Sequence, residues 1–507
     1  MQQLLLLNFS FFINWLYHFI FFSLIFGYLF SIILLLFSKI SLFKVFFKNI
    51  NFFFFIKYIL IFSFSISSLL LILIFYYFIY YYSFLIKLNL NSSFYTNVDI
   101  LNPKINLYNF FYFSMDIFGI ILCILAFIVG FLSFLALDTR LYFSKIKFIN
   151  MCHLLCIFIF LFVSVNNVIL LFFFYECLLI PSFLFVYFVS PYRRSVQASL
   201  YFLIWTQIGS LFVLISIAYI YYLTGETSFK YIQLFNFTKI ESYFLFTCLF
   251  FGFGIKIPIW PFHHWLIKTH VEAPAGFSMF LSGFLVKSAL FGFFKITHLI
   301  NFEINTTFYL MIILLGVIDS SLKMWSQTDI KKLVAYGTIQ EMNLIFLLFN
   351  WGSTNSLYGG LIFCITHSFL SGLLFYTVDC IQRRYHSRSI TELSGILLLH
   401  PSLGIIIFCN CVLYSGLPGT LKFISEIYIY TGLMENSFLI CLLLFFICNY
   451  LGIIGFSKCW FNILFGLTIN KISYISIDLS IKEILIISFC YFALFFITLT
   501  NLYIIIN

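Results

Sequence analysis

With 507 residues, 63% of them hydrophobic and only 9% charged, the chain cannot be a soluble domain, in which about a quarter of residues carry charge. A mean hydropathy of +1.10 makes it a membrane protein of many spans. The net charge of +10 is accounted for by lysines and arginines in the loops between apolar runs, so no nucleic-acid partner is implied.

Phe (76) and Tyr (33) far exceed ordinary usage. With abundant Ile, Leu, Asn and Lys, they point to a gene of very low GC content, as in many organelles. The 13 cysteines include no C-x-x-C, the nearest approach being Cys409-Asn-Cys411. Iron–sulfur and zinc centres need clustered thiolates, so no metal is expected. The N-terminus, MQQLLLLNFSFFINWL, has no basic region or small-residue cleavage site. Synthesis inside an organelle, or in a bacterium, fits it.

About 20 apolar residues cross a bilayer as a helix. In chain order, that rule predicts an all-α polytopic protein of about 14 transmembrane helices. The spans fall near 11–37, 52–86, 112–137, 151–165, 167–190, 197–223, 243–265, 274–298, 305–325, 331–350, 356–381, 401–432, 437–464 and 483–506. The loops of one side hold Lys39, Lys44, Lys48, Arg140, Arg193, Arg194, Lys331, Lys332, Arg383, Arg384 and Arg388, among others. Those of the other side hold Lys87, Lys104, Lys230 and Lys239. The positive-inside rule then faces the basic side to the matrix or cytoplasm, with both termini opposite. No loop is long enough for a soluble catalytic domain.

Charges inside spans are costly and mark functional interiors. The bases there are Lys57, Lys256, Lys287, Lys295 and Lys422; the acids in or near spans are Asp116, Glu176, Asp319, Glu341, Asp379 and Glu426. Lys256 precedes Pro258 and Pro261, which break the seventh span. Glu176 needs a cation or water, and Lys256 is its natural partner, either as a proton switch or as a static pair locking two helices. Lys287 lies too deep to snorkel, whereas Lys295, eight residues on, is expected to reach the interface. His367 stands at the centre of its span, as a relay or as a packed histidine. His263, His264 and His270 belong near an interface, with no ligand set for a metal. Gly416, Pro418 and Gly419 unwind the twelfth span before Glu426.

Paired interruptions five spans apart are the signature of an inverted repeat. The repeats are spans 4–8 and 9–13, with discontinuous helices 7 and 12 and with Lys458 as the counterpart of Lys287. The corresponding division is 1–150 for the first three helices, 151–300 and 301–465 for the repeats, and 466–507 for a loop and a last helix.

The segments YECLLIPSF, GIKIPIWPFHHWLIKTHVEAPAGFSMFLSGFLVK, QTDIKKLVAYGTIQEM, ITHSFLSGLLF and SGLPGTLKFISE closely resemble the antiporter-like proton-pumping subunits of respiratory complex I. HVEAP, and HSRS at 386–389, resemble one subunit type of that family in particular. The resemblance implies a proton path through Glu176, Lys256, Lys287, His367 and Glu426, from the matrix side to the opposite side of the mitochondrial inner membrane. Glu341 joins them as a departure, standing where the family has a histidine. Lys268, and Ile267 in place of a proline, are further departures. The resemblance also implies no cofactor in this chain: NADH, FMN, iron–sulfur clusters and ubiquinone are bound by other subunits. Partners would be the other membrane-arm subunits and membrane lipids. Two alternatives are a subunit of a multi-subunit cation/proton antiporter and a structural subunit whose channel is inactive.

Overall fold

The structure, a computed structural model, describes residues 20, 25, 116–136, 142–189, 193–300, 307–466 and 478–506. Apart from residues 20 and 25, the first two expected spans lie outside the described residues, as does Lys57. Every regular element among the described residues is helical, and strand pairing is limited to the isolated bridges Asn167–Ser228 and Asp329–Ser389.

In chain order the helices are α1 (Ile117–Leu135), α2 (Tyr142–Ser164), α3 (Val168–Cys177), α4 (Leu179–Val189), α5 (Arg193–Thr224), α6 (Phe229–Leu234), α7 (Lys239–Lys256), α8 (His264–Glu272) and α9 (Ala275–Phe280). The π-helical segment Leu281–Leu285 leads into α10 (Val286–Ile300). Then follow α11 (Thr307–Trp325), α12 (Ile330–Trp351), α13 (Thr354–Tyr385), α14 (Ile396–Leu399), α15 (Pro401–Ser415), α16 (Leu421–Asn436) and α17 (Phe438–Phe445). A second π segment, Phe446–Gly452, leads into α18 (Ile453–Leu464), and α19 (Ile481–Ile506) ends the chain. Eight of the described helical stretches are long and apolar enough to cross a membrane. Helices suit that setting because each satisfies its own backbone hydrogen bonds.

The stretches sort into a centre and a periphery. Of the most apolar 18-residue stretch of Ala275–Ile300, 94% is buried inside the chain, and of that of Thr354–Tyr385, 89%. The figures for Phe438–Leu464 and Ile481–Thr500 are 28% and 33%. The inner helices therefore see protein on all sides and can hold charge, while the outer ones turn Phe438, Leu439, Phe492 and Phe495 outward.

Small residues let inner helices touch backbone to backbone. A Cβ on Gly209 of α5 would stand 2.7 Å from the carbonyl oxygen of Gly252 in α7. A Cβ on Gly359 of α13 would stand 2.9 Å from the amide nitrogen of Ile429 in α16. Phenylalanines fill the remaining space, as in the Phe118–Phe349 stack at 5.3 Å.

Candidate functional site

The break between α7 and α8 is built by sequence and tied down by neighbours. Turns at 257–263 replace the helix where Pro258 and Pro261 lack amide donors. The carbonyls this frees find partners: Trp265 Nε1 donates to Ile255 O at 2.8 Å, and Asn343 Nδ2 of α12 donates to Pro258 O at 3.2 Å. Lys256, the last residue of α7, is buried, with Nζ 3.8 Å from the centre of the Tyr175 ring.

The expected Glu176–Lys256 pair interacts through its charges, though no direct ion-pair contact between the two is described. The Glu176 carboxylate instead accepts from Gln207 Nε2 of α5 at 3.0 Å. Gln207 Oε1 accepts from Ser210 Oγ at 3.2 Å, which aims the amide at Glu176. The aromatic ring beside the ammonium and the amide beside the carboxylate thus divide the two charges, each with a partner of its own.

The π segment Leu281–Leu285 shapes the next site. In a π turn the carbonyls bond five residues ahead, and such bulges gather at functional positions. Lys287 lies just beyond it and is fully buried. Its Nζ donates to Ser282 O at 2.9 Å and to Gly283 O at 3.1 Å, and meets His367 Nδ1 of α13 at 2.8 Å. With Lys287 as an ammonium, this contact needs the lone pair on Nδ1 and leaves the imidazole proton on Nε2. That nitrogen faces Glu341 Oε2 of α12 at 3.8 Å. The gap is too long for a hydrogen bond and short enough for a side-chain swing.

Glu341 Oε1 in turn accepts from Lys422 Nζ at 2.7 Å. Lys422 also donates to Tyr414 O at 2.7 Å, a carbonyl left over because α15 stops at Ser415. The stop comes from Gly416, whose φ of 67° is the left-handed conformation glycine adopts freely. Thr420 then caps α16 through Phe423 N. Glu426, one turn after Lys422 on the same face, packs its Oε2 3.0 Å from where a Gly416 Cβ would stand.

The described contacts thus link Lys287, His367, Glu341 and Lys422 into one buried series, with Glu426 beside it. Glu176, Gln207, Tyr175 and Lys256 form a second group, and no contact between the two groups is described. Two sequence expectations need correction. Lys295 does not snorkel: it is buried and donates to Val163 O at 3.2 Å and Val165 O at 2.9 Å, holding the carbonyl end of α2. His263 and His270 are buried within the chain. His270 stacks on Phe375 at 4.5 Å, and His263 Nε2 lies 3.3 Å from Asp319 Oδ2, which also accepts from Lys323. Lys458 is exposed, over Trp325, so it does not repeat the buried position of Lys287.

Sequence reasoning named Lys422 as an in-span base but gave it no role. Its four-residue spacing from Glu426, directly after the break, was the available signal. Gln207 and Tyr175 were missed, since a lone amide or phenol in an apolar helix has no pattern to expose it. Among the described residues no group of histidines, cysteines and acids is arranged to hold a metal ion.

Residues 165–452 match the family described as NADH:quinone oxidoreductase/Mrp antiporter, a transmembrane family. These residues hold both groups of charges, and the chain belongs to that family. Within it, the chain is 44% identical over 386 residues to NADH-ubiquinone oxidoreductase chain 4 of Paramecium tetraurelia, covering 76% of this chain and 81% of that one. Its fold is similar to a chain of respiratory complex I from Thermus thermophilus, with a TM-score of 0.75 at 19% identity over 96% of each chain. It is similar also to a chain of the membrane-bound sulfane sulfur reductase, an archaeal respiratory membrane complex, with a TM-score of 0.77 at 16% identity over 96% and 95% of the two chains.

Proposed function

We propose that the buried series carries protons across the membrane, with the chain acting as a membrane-arm subunit of NADH:ubiquinone oxidoreductase. The observation that carries this reading is the line of titratable groups through the most buried helices: Lys287 to His367 at 2.8 Å, His367 to Glu341 at 3.8 Å, Glu341 to Lys422 at 2.7 Å. A static scaffold would gain nothing from four such groups, because desolvating each charge costs several kcal/mol. Proton transfer uses them directly. Lys287 gives a proton to His367 Nδ1, and His367 passes the one on Nε2 to Glu341. Glu176 and Lys256 are the intake group: movement of Glu176 between Gln207 and Lys256 would change whether the lysine keeps its proton.

Both halves of the chain hold a broken helix followed by a π segment, at 257–263 and Leu281–Leu285, then at 416–420 and Phe446–Gly452. That parallel supports two inverted five-helix repeats within fourteen spans, divided at 150, 300 and 465. The identity to NADH-ubiquinone oxidoreductase chain 4 supports a mitochondrial inner-membrane site, the loop charges support both termini on the intermembrane-space side, and the Phe- and Tyr-rich composition supports a gene in the organelle. Other membrane-arm subunits and lipids are the partners. NADH, FMN, iron–sulfur clusters and ubiquinone are held elsewhere in the complex, so this chain would do no redox chemistry of its own.

The test is the ratio of protons moved to electrons transferred by the complex in sealed vesicles. Lys287→Met and Glu176→Ala are expected to lower it; a wild-type ratio in both overturns the path. Cation-dependent proton exchange without NADH oxidation would instead favour a multi-subunit antiporter, and inertness in both assays a structural subunit.

A further inference from the structure

We propose that Lys422 is a proton-carrying residue and that the Glu341–Lys422 pair is a second switch, through which protons leave the buried series toward Glu426 and the cavity beside α19. This inference rests on the proton-path reading above and extends it to a residue that reading leaves without a role.

Three observations converge on Lys422. Its ammonium is buried and bonded on two sides, to Glu341 Oε1 and to Tyr414 O, both at 2.7 Å. It sits two residues past the cap of α16, directly after the break, so its surroundings are set by the unwound segment 416–420. It also borders a cavity of about 230 Å³ between α13, α15, α16 and α19, walled mostly by Leu370, Leu413, Leu421, Leu494 and Phe495, with Thr366, Thr420, Tyr491 and Thr498 adding hydroxyls. Lys422 thus touches the end of the buried series on one side and this cavity on the other.

The step balances as one proton in and one out. When His367 gives its Nε2 proton to Glu341, the carboxylate becomes a neutral acid and Lys422 loses its counter-ion. A buried ammonium without its partner is strongly destabilised, so Lys422 releases a proton to Glu426 one turn on. The neutral amine then takes the proton from the Glu341 carboxylic acid. The pair is restored, and the net result is one proton moved from His367 to the far side of Lys422.

The competing reading is a fixed clamp holding α16 to α12. Arginine separates the two, because it keeps the charge and the donors but does not release a proton in a protein. The complex carrying Lys422→Arg is compared with wild type and with Lys287→Met in sealed vesicles. Each is measured for NADH oxidation with an uncoupler present and for protons moved per electron. Expected is an assembled Lys422→Arg complex that oxidises NADH yet moves fewer protons per electron, matching the loss in Lys287→Met. A wild-type ratio in Lys422→Arg beside a lowered ratio in Lys287→Met overturns the switch and leaves the path standing. A wild-type ratio in both overturns the path itself. If Lys422→Arg fails to assemble, Lys422→Gln replaces it with Glu341 left in place: a lowered ratio supports the switch, and a wild-type ratio overturns it.

Discussion

The two helix breaks use similar sequence devices and reach opposite electrostatic states. At the first, between α7 and α8, base and acid are held apart, Lys256 on an aromatic ring and Glu176 on a glutamine amide. At the second, between α15 and α16, base and acid are closed on one another at 2.7 Å, with a backbone carbonyl completing the lysine's partners. Proline and glycine thus only make the break. The state of the charges beside it is decided by what the neighbouring helix offers, a neutral amide from α5 or a carboxylate from α12. An open pair and a closed pair in one chain are the two positions that a proton-driven cycle would alternate between.

The largest effect is expected from breaking the closed pair on one side. Glu341→Ala leaves Lys422 charged and buried, at a cost of roughly 3–5 kcal/mol. The yield of assembled complex and its thermal inactivation should show it, while Glu341→Gln/Lys422→Gln should recover most of the loss. At the open break, Gln207→Leu removes the donor that keeps Glu176 from Lys256. A hydrogen bond to a charged group contributes about 1.5–3 kcal/mol, so the rate of coupled proton movement should fall by roughly tenfold or more. An unchanged rate would make Gln207 a packing residue. Gly416→Ala should cost about 1–2 kcal/mol for a left-handed non-glycine residue, with added crowding from Glu426, read as a lowered midpoint of thermal inactivation.

The smallest effect lies outside both breaks. Asp478 precedes α19 and caps α15 from a distance, accepting from Ser402 N at 2.8 Å and Leu403 N at 3.3 Å. Burial works against its charged form, yet these bonds, with one from Leu479 N, together hold its carboxyl below the usual range. A lowered value stabilises the fold above the unfolded carboxyl's value of about 3.9, and that contribution fades as pH falls through the folded value. Asp478→Ala should therefore cost about 1 kcal/mol near neutral pH and progressively less in acid. An equal loss at every pH would contradict the capping role.

The membrane class, the all-helical architecture and both breaks were legible because they rest on composition, length and proline or glycine, all of which are local. Lys287 and Glu341 were legible as charges in apolar runs. Their neighbours were not, because the approach of His367 to Glu341 depends on how α13 packs against α12. The separation of Glu176 from Lys256 was hidden for the same reason: an amide on α5 and a ring on α3 decide it, and neither departs from its helix's own pattern. The π segment before Lys287 leaves only Ser282-Gly283 as its trace, and a small-residue pair reads equally well as close helix packing. The burial of Lys295 against the end of α2 is likewise a tertiary event.

The central claim is that Glu341 changes protonation while the complex works, and infrared difference spectroscopy during turnover tests it most directly. The account predicts a carboxylic acid C=O band that rises on NADH addition in wild type and is absent in both Glu341→Gln and Lys287→Met. The same band persisting unchanged in Glu341→Gln would contradict it.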